Sequence, residues 1–117
     1  MQAGELADRL GMVLLQAEMA AQEIAVEGCY VGDLLSNVMG NAKRGQLWLT
    51  VMTNVNVVAV AQLLELAGIV LVEGNRPTED MLARAVTEGI PVFTMQAPAY
   101  EAAIQVHASG LAGPALA

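Results

Sequence analysis

Positive charge is scarce in this chain. Five lysines and arginines stand against twelve aspartates and glutamates, a formal net charge of −7 over 117 residues. Nucleic-acid binding needs a basic footprint that displaces counterions from phosphates. Only Lys43 and Arg44 are adjacent bases, which argues against nucleic acid as a partner. The same deficit argues against an anionic membrane surface. Cysteine is almost missing too: Cys29 is alone, so no disulfide can close within the chain. With no signal-peptide pattern at the N-terminus, the expected compartment is the cytoplasm. His107 is the single histidine. One histidine and one cysteine cannot build a zinc site without carboxylates or a second chain. No nucleophile–base pair can be assembled from these residues either, so the expectation is that the protein is not an enzyme and carries no cofactor of its own. The longest apolar tract, residues 57–72, is interrupted by Gln62, Glu65 and Gly68. It falls short of the ~20 residues that a membrane-spanning helix requires. There is no G-x-x-x-x-G-K-[ST] phosphate loop.

What the chain has in excess is apolar side chains, 56% of all residues. The length suits one domain. A domain of this size buries roughly 65% of its unfolded surface, which leaves too little interior for so much apolar content. Some of it is therefore expected to face a partner, and a homodimer is the expected form, because most soluble oligomers are symmetric copies of one chain.

The pattern along the chain is an alternation of strands and helices. Residues 4–11 read as a short amphipathic helix and residues 12–16 as a small strand. Residues 18–27 have no clear pattern and lead into a strand through Val31. Residues 33–42 read as a helix capped by Asp33, with Lys43 and Arg44 suited to its C-terminal dipole and Gly45 as a stop. Residues 47–52 are β-rich. Thr53 and Asn54 end that strand and can cap a helix running to about Leu66, with Val55, Val58, Ala59, Gln62, Leu63 and Leu66 on one stripe and Gly68 closing it. Residues 69–72 form a continuous apolar run, as in a strand buried on both faces of a parallel sheet. Thr78 caps the next helix, Glu79 and Asp80 complement its dipole, and Met81, Leu82, Ala85 and Val86 form its inner face. Gly89 ends it, Pro91 opens the strand 92–94, and Pro98 starts a last helix to about Ala108. Residues 110–117 read as a loose tail.

Within this order, residues 66–94 form one βαβ unit. The alternation predicts an α/β fold: a small three-layer domain with a mainly parallel sheet flanked by helices. Residues 1–27 are a lead-in to the same domain, 28–108 its core and 109–117 its tail.

In open α/β sheets, ligands collect at the carboxyl ends of strands. The residues expected there are Thr50, Thr53, Asn54, Gly74, Asn75, Arg76 and Thr94. Backbone N–H groups of the Gly74–Asn75–Arg76 turn, with the Arg76 guanidinium, can hold an anion. The ligand implied is an adenine nucleotide or a phosphate-like anion. The competing reading is a tight βα turn with Arg76 in solvent, and capping duties for Thr53 and Asn54. Cys29 reads as a small buried hydrophobe or a reactive thiol.

Three stretches carry a resemblance to a known family. They are GCYVGDLLSNVMGNAKRGQLWLT (28–50), TNVNVVAVAQLLELAGIVLVEGNRPTED (53–80) and EGIPVFT (88–94). Over residues 28–106 the chain resembles the DRTGG domain family, whose fold is related to the N-terminal domain of HPr kinase. The family includes regulatory inserts in some inorganic pyrophosphatases and segments of some phosphotransacetylases. The resemblance implies a domain that pairs with itself and acts on a partner protein as a regulatory or ligand-sensing module, with no catalytic residues. The chain departs from the family where Asn75 replaces a second glycine, and near residues 97–100, where only Tyr100 fits.

Overall fold

The computed structural model describes residues 1–16 and 24–111. The expectations for residues 18–23 and 112–117 lie outside the described residues. Five strands and five helices follow one another as α1 (Ala3–Leu10), β1 (Val13–Leu14), β2 (Gly28–Val31), α2 (Leu35–Asn41), β3 (Gln46–Thr50), α3 (Val55–Leu63), β4 (Gly68–Leu71), α4 (Glu79–Glu88), β5 (Val92–Thr94) and α5 (Ala99–Ala108). The sheet has the order β1-β5-β4-β3-β2. β2, β3, β4 and β5 are parallel, and β1 closes the β5 edge antiparallel.

Side chains alternate across the sheet and build two cores. Trp48, Ile69, Leu71 and Val92 pack with Val38 of α2, Val57, Val58, Val60 and Ala61 of α3, and Met81 and Ala85 of α4. Leu47, Leu49, Val70 and Phe93 pack on the opposite face with Ala3 and Leu6 of α1 and Ala102 of α5. All of β4 is buried, as its unbroken apolar run predicts. The three-layer α/β architecture is thus the one expected. Each crossover from β2 to β5 moves one strand in the same direction, and right-handed connections then put α2, α3 and α4 on one face.

Local chemistry explains most boundaries. Asn54 caps α3 by accepting from the Asn56 N–H at 3.0 Å, and Thr78 caps α4 by accepting from the Met81 N–H at 3.2 Å. Gly89 ends α4 in the left-handed conformation. Pro98 precedes the first turn of α5.

Several expectations are corrected. Asp33 does not cap α2; that helix starts at Leu35 without a side-chain cap, and the Asp33 carboxylate bonds to β3 and the residue after it. Lys43 and Arg44 lie beyond the end of α2, where Arg44 pairs with Glu65 at 3.0 Å. α3 stops at Leu63, and Glu65, not a glycine, takes the left-handed turn at φ 55°. Gly68 instead opens β4, where a Cβ would come within 3.1 Å of the Pro91 carbonyl. The inner stripe of α3 is also rotated, with Ala59 and Leu63 exposed. α3 has no charged residue, and its polar residues Asn56 and Gln62 both lie on the exposed side, so the stripe that included Gln62 faced outward in part. Val86 of α4 is likewise exposed.

Gln16 shows how the short β1 is held. Its side-chain amide donates to the Ile90 carbonyl at 2.7 Å and accepts from the Val92 N–H at 2.9 Å. The side chain thus continues the β1–β5 ladder where backbone would otherwise do so. Gln16→Ala leaves both buried partners unsatisfied and is expected to cost about 2 kcal/mol. Urea unfolding measures this.

Candidate functional site

The carboxyl edge of the sheet collects the polar residues of the chain's middle. Thr50, Leu71 and Thr94 are register neighbours at the ends of β3, β4 and β5. By alternation, Thr50 and Thr94 flank Leu71 on the side of α2, α3 and α4. The N-termini of α3 and α4 start from this edge.

Asp33 holds one end of the rim. Its Oδ1 accepts from the Thr50 hydroxyl at 2.7 Å and from the Val51 N–H at 2.9 Å. The Thr50 oxygen in turn accepts from the Met52 N–H at 3.2 Å. Thr50 is almost fully buried, so it acts as a support of the rim. The Thr53 carbonyl accepts from the Thr78 N–H at 3.1 Å and ties the β3–α3 turn to the start of α4. The Asn54 oxygen is engaged as the α3 cap.

The turn after β4 is built from two consecutive left-handed residues, Glu73 at φ 59° and Gly74 at φ 69°. Their N–H groups donate to the carbonyls of Ala97 at 3.0 Å and Met95 at 2.9 Å. Both the N–H and the side-chain amide of Asn75 donate to the Val72 carbonyl, at 3.2 and 2.8 Å. The backbone donors of Glu73, Gly74 and Asn75 are therefore spent within the fold, and the expected anion nest from Gly74 and Asn75 is closed. Gly74 has a further reason to be glycine. A Cβ there would lie 2.9 Å from Oε1 of Gln96, whose side chain covers the turn.

Of the seven residues expected at this edge, all seven are brought to it. They differ in what they can offer. Thr50 and Thr94 are buried. Gly74 and Asn75 shape the turn. Arg76 is exposed and takes part in none of the three ion pairs among the described residues, Arg9–Glu5, Arg44–Glu65 and Arg84–Glu88. Two residues were missed, Asp33 and Gln96. The signal for both was position: each follows the end of a strand by two residues, as Asp33 does Val31 and Gln96 does Thr94.

Cys29 and His107 stand apart from one another in role. Cys29 is half-buried on β2, and burial pushes its thiol up to about 11. α5 starts at the carboxyl edge, and His107 lies in its last turn, about 12 Å further along the axis at 1.5 Å per residue. No group of three or more histidine, cysteine, aspartate or glutamate residues suited to a metal ion occurs among the described residues. No helix among them is long and apolar enough to cross a membrane.

No protein-family model and no curated protein sequence matches the chain. Its fold is similar to the crystal structure of the CBS and DRTGG domains of the regulatory region of Clostridium perfringens pyrophosphatase, complexed with the activator diadenosine tetraphosphate. The TM-score is 0.66 at 11% identity, over 90% of this chain and 45% of that one. The chain thus spans less than half the length of this neighbour, and the likeness is one of fold.

The Asp33–Thr50 bond should couple β2 to β3. A double-mutant cycle with Asp33→Ala and Thr50→Val is expected to give an interaction energy of about 1 kcal/mol in chemical denaturation. The raised thiol of Cys29 predicts slow alkylation. At pH 8 the native protein should react roughly 100-fold more slowly than the unfolded chain, the ratio of thiolate fractions for a pKa near 11 against an unperturbed 9.0. The sign for stability follows: the neutral thiol favours the fold fully below pH 9, and this contribution is lost as pH rises from 9 to 11.

Proposed function

We propose that this protein is a non-enzymatic regulatory module that works as a homodimer and senses a small ligand at the carboxyl edge of its sheet, passing the signal to a partner protein. The observation that carries this reading is the likeness of fold to a regulatory region that binds a nucleotide activator. The residue likeness to the DRTGG family over 28–106 points the same way. Catalysis has no support in the rim: Asp33 is tied to Thr50 and Val51, and the one histidine lies toward the opposite end of α5.

The ligand class favoured by the geometry is anionic, a nucleotide or a small phosphate-like ion. Arg76 supports this, as an exposed guanidinium outside the three ion pairs among the described residues, beside a turn covered by Gln96. Side chains rather than backbone amides would make the contacts, with Asn54, Arg76 and Gln96 the exposed polar groups of the rim.

A thermal-shift panel of AMP, ATP, diadenosine tetraphosphate, inorganic phosphate and acetyl phosphate tests the reading. A ligand at 100 times its Kd should add about 2.7 kcal/mol and raise Tm by several degrees. Arg76→Ala should abolish that rise and leave the unliganded stability within about 0.5 kcal/mol of the parent, as for an exposed side chain. A flat response to the whole panel contradicts the nucleotide or anion assignment.

A further inference from the structure

The helical layer formed by α2, α3 and α4 has an uncharged outer surface on its α2 and α3 side. Between Asp33 and Glu65 the only charged residues of the chain are Lys43 and Arg44. Both lie in the α2–β3 turn, beyond the end of α2. The outer surfaces of α2 and α3, which pack side by side on one face of the sheet, therefore carry no charged residue of their own, and the Glu88 carboxylate of α4 reaches only the Gln62 amide near the end of α3. Four of the eight large apolar side chains exposed among the described residues lie on or at this layer: Leu34 (59% exposed), Met39 (48%), Leu63 (67%) and Val86 (59%). Charged groups border the uncharged area, with the Arg84–Glu88 pair on α4 and the Arg44–Glu65 pair at the far end of α3. Between them the two helices expose Met39 and Leu63 among the uncharged Ser36, Asn37, Asn41, Asn56, Ala59 and Gln62. A charge-depleted centre with a charged rim is the composition of a protein interface.

We infer that the α2–α3 surface is where two copies of this chain meet, about a two-fold axis. The occupant follows from charge. A chain of net charge −7 repels its own copy wherever acidic faces approach. The α2–α3 surface is a face on which two copies can approach without opposing carboxylates. A partner selected by its basic charge would meet the acidic faces instead. In a two-fold contact the same patch serves both partners, so an uncharged patch is automatically its own complement. Ala59 at the middle of the outer side of α3 and Gly40 on α2, where a Cβ would meet open space, let the two backbones come close. This inference rests on the homodimer proposed above and gives it a surface. It also places the interface on the sheet face toward which Thr50 and Thr94 point, so rim and interface share α3.

Analytical ultracentrifugation of the full chain tests it, with Met39→Lys/Leu63→Lys as the disrupting variant and Tyr100→Lys, an exposed residue of α5 on the opposite face, as the control. Ala59→Arg is the second disrupting variant, and circular dichroism confirms folding of each. The parent and Tyr100→Lys should sediment as dimers at micromolar concentration. Met39→Lys/Leu63→Lys and Ala59→Arg should weaken the dimer by roughly 30-fold or more, the scale of an interface hot spot. A dimer that survives both disrupting variants overturns the surface and leaves the homodimer standing. A parent chain that is monomeric overturns both.

Discussion

The structure depends on burying β4 on both faces. Gly68–Leu71 and Val72 have no polar side, and a sheet covered on one face only would leave half of this surface in water. Helices are therefore required above and below. The βαβ crossovers supply one layer, α2 to α4, and the segments at the two ends of the chain supply the other, α1 and α5. α1 is thus not an appendage. Ala3 and Leu6 close the core under Val70 and Phe93, and β1 seals the β5 edge with the help of the Gln16 amide.

That topology also sets the kind of site available. In doubly wound sheets the strand order reverses, and the diverging connections open a crevice. Here the parallel strands run in one order from β2 to β5, without reversal. The carboxyl edge is accordingly a rim. Its floor is apolar at Leu71, its walls are the Asp33–Thr50 contact on one side and the Glu73–Gly74 turn on the other, and its exposed groups are side chains. Two consecutive left-handed residues in that turn aim N–H groups inward at the segment after β5, where Met95 and Ala97 consume them. The side chains exposed on this rim are those of Arg76, Gln96 and Asn54, and the sensing role proposed above rests on them.

Much of this was legible in the residues. The strands at 69–72 and 92–94, the Asn54 and Thr78 caps and the Gly89 stop carry local signals that tertiary packing did not override. Where the reading failed, the cause was a contact distant in sequence or a stripe read in the wrong direction. Asp33 resembles a cap by position, but a buried Thr50 hydroxyl seventeen residues away is the better partner. α3 has no charged residue, and its two polar ones, Asn56 and Gln62, lie on the exposed side; reading Gln62 into the inner stripe turned the helix the wrong way. Gly68 looked like a helix stop, whereas the close approach of the Pro91 carbonyl is what demands it. The location of the rim followed from strand order, while the fate of its backbone donors depended on the path after β5, which no local pattern encodes.

The central claim is that the carboxyl rim is the sensing surface. Amide chemical-shift mapping during titration with AMP, and separately with inorganic phosphate, tests it most directly. The account predicts shifts concentrated at residues 50–54, 73–76 and 94–97, with the Arg76 and Gln96 side-chain signals among the largest. Shifts confined to α1 and α5, on the opposite face of the sheet, would contradict it.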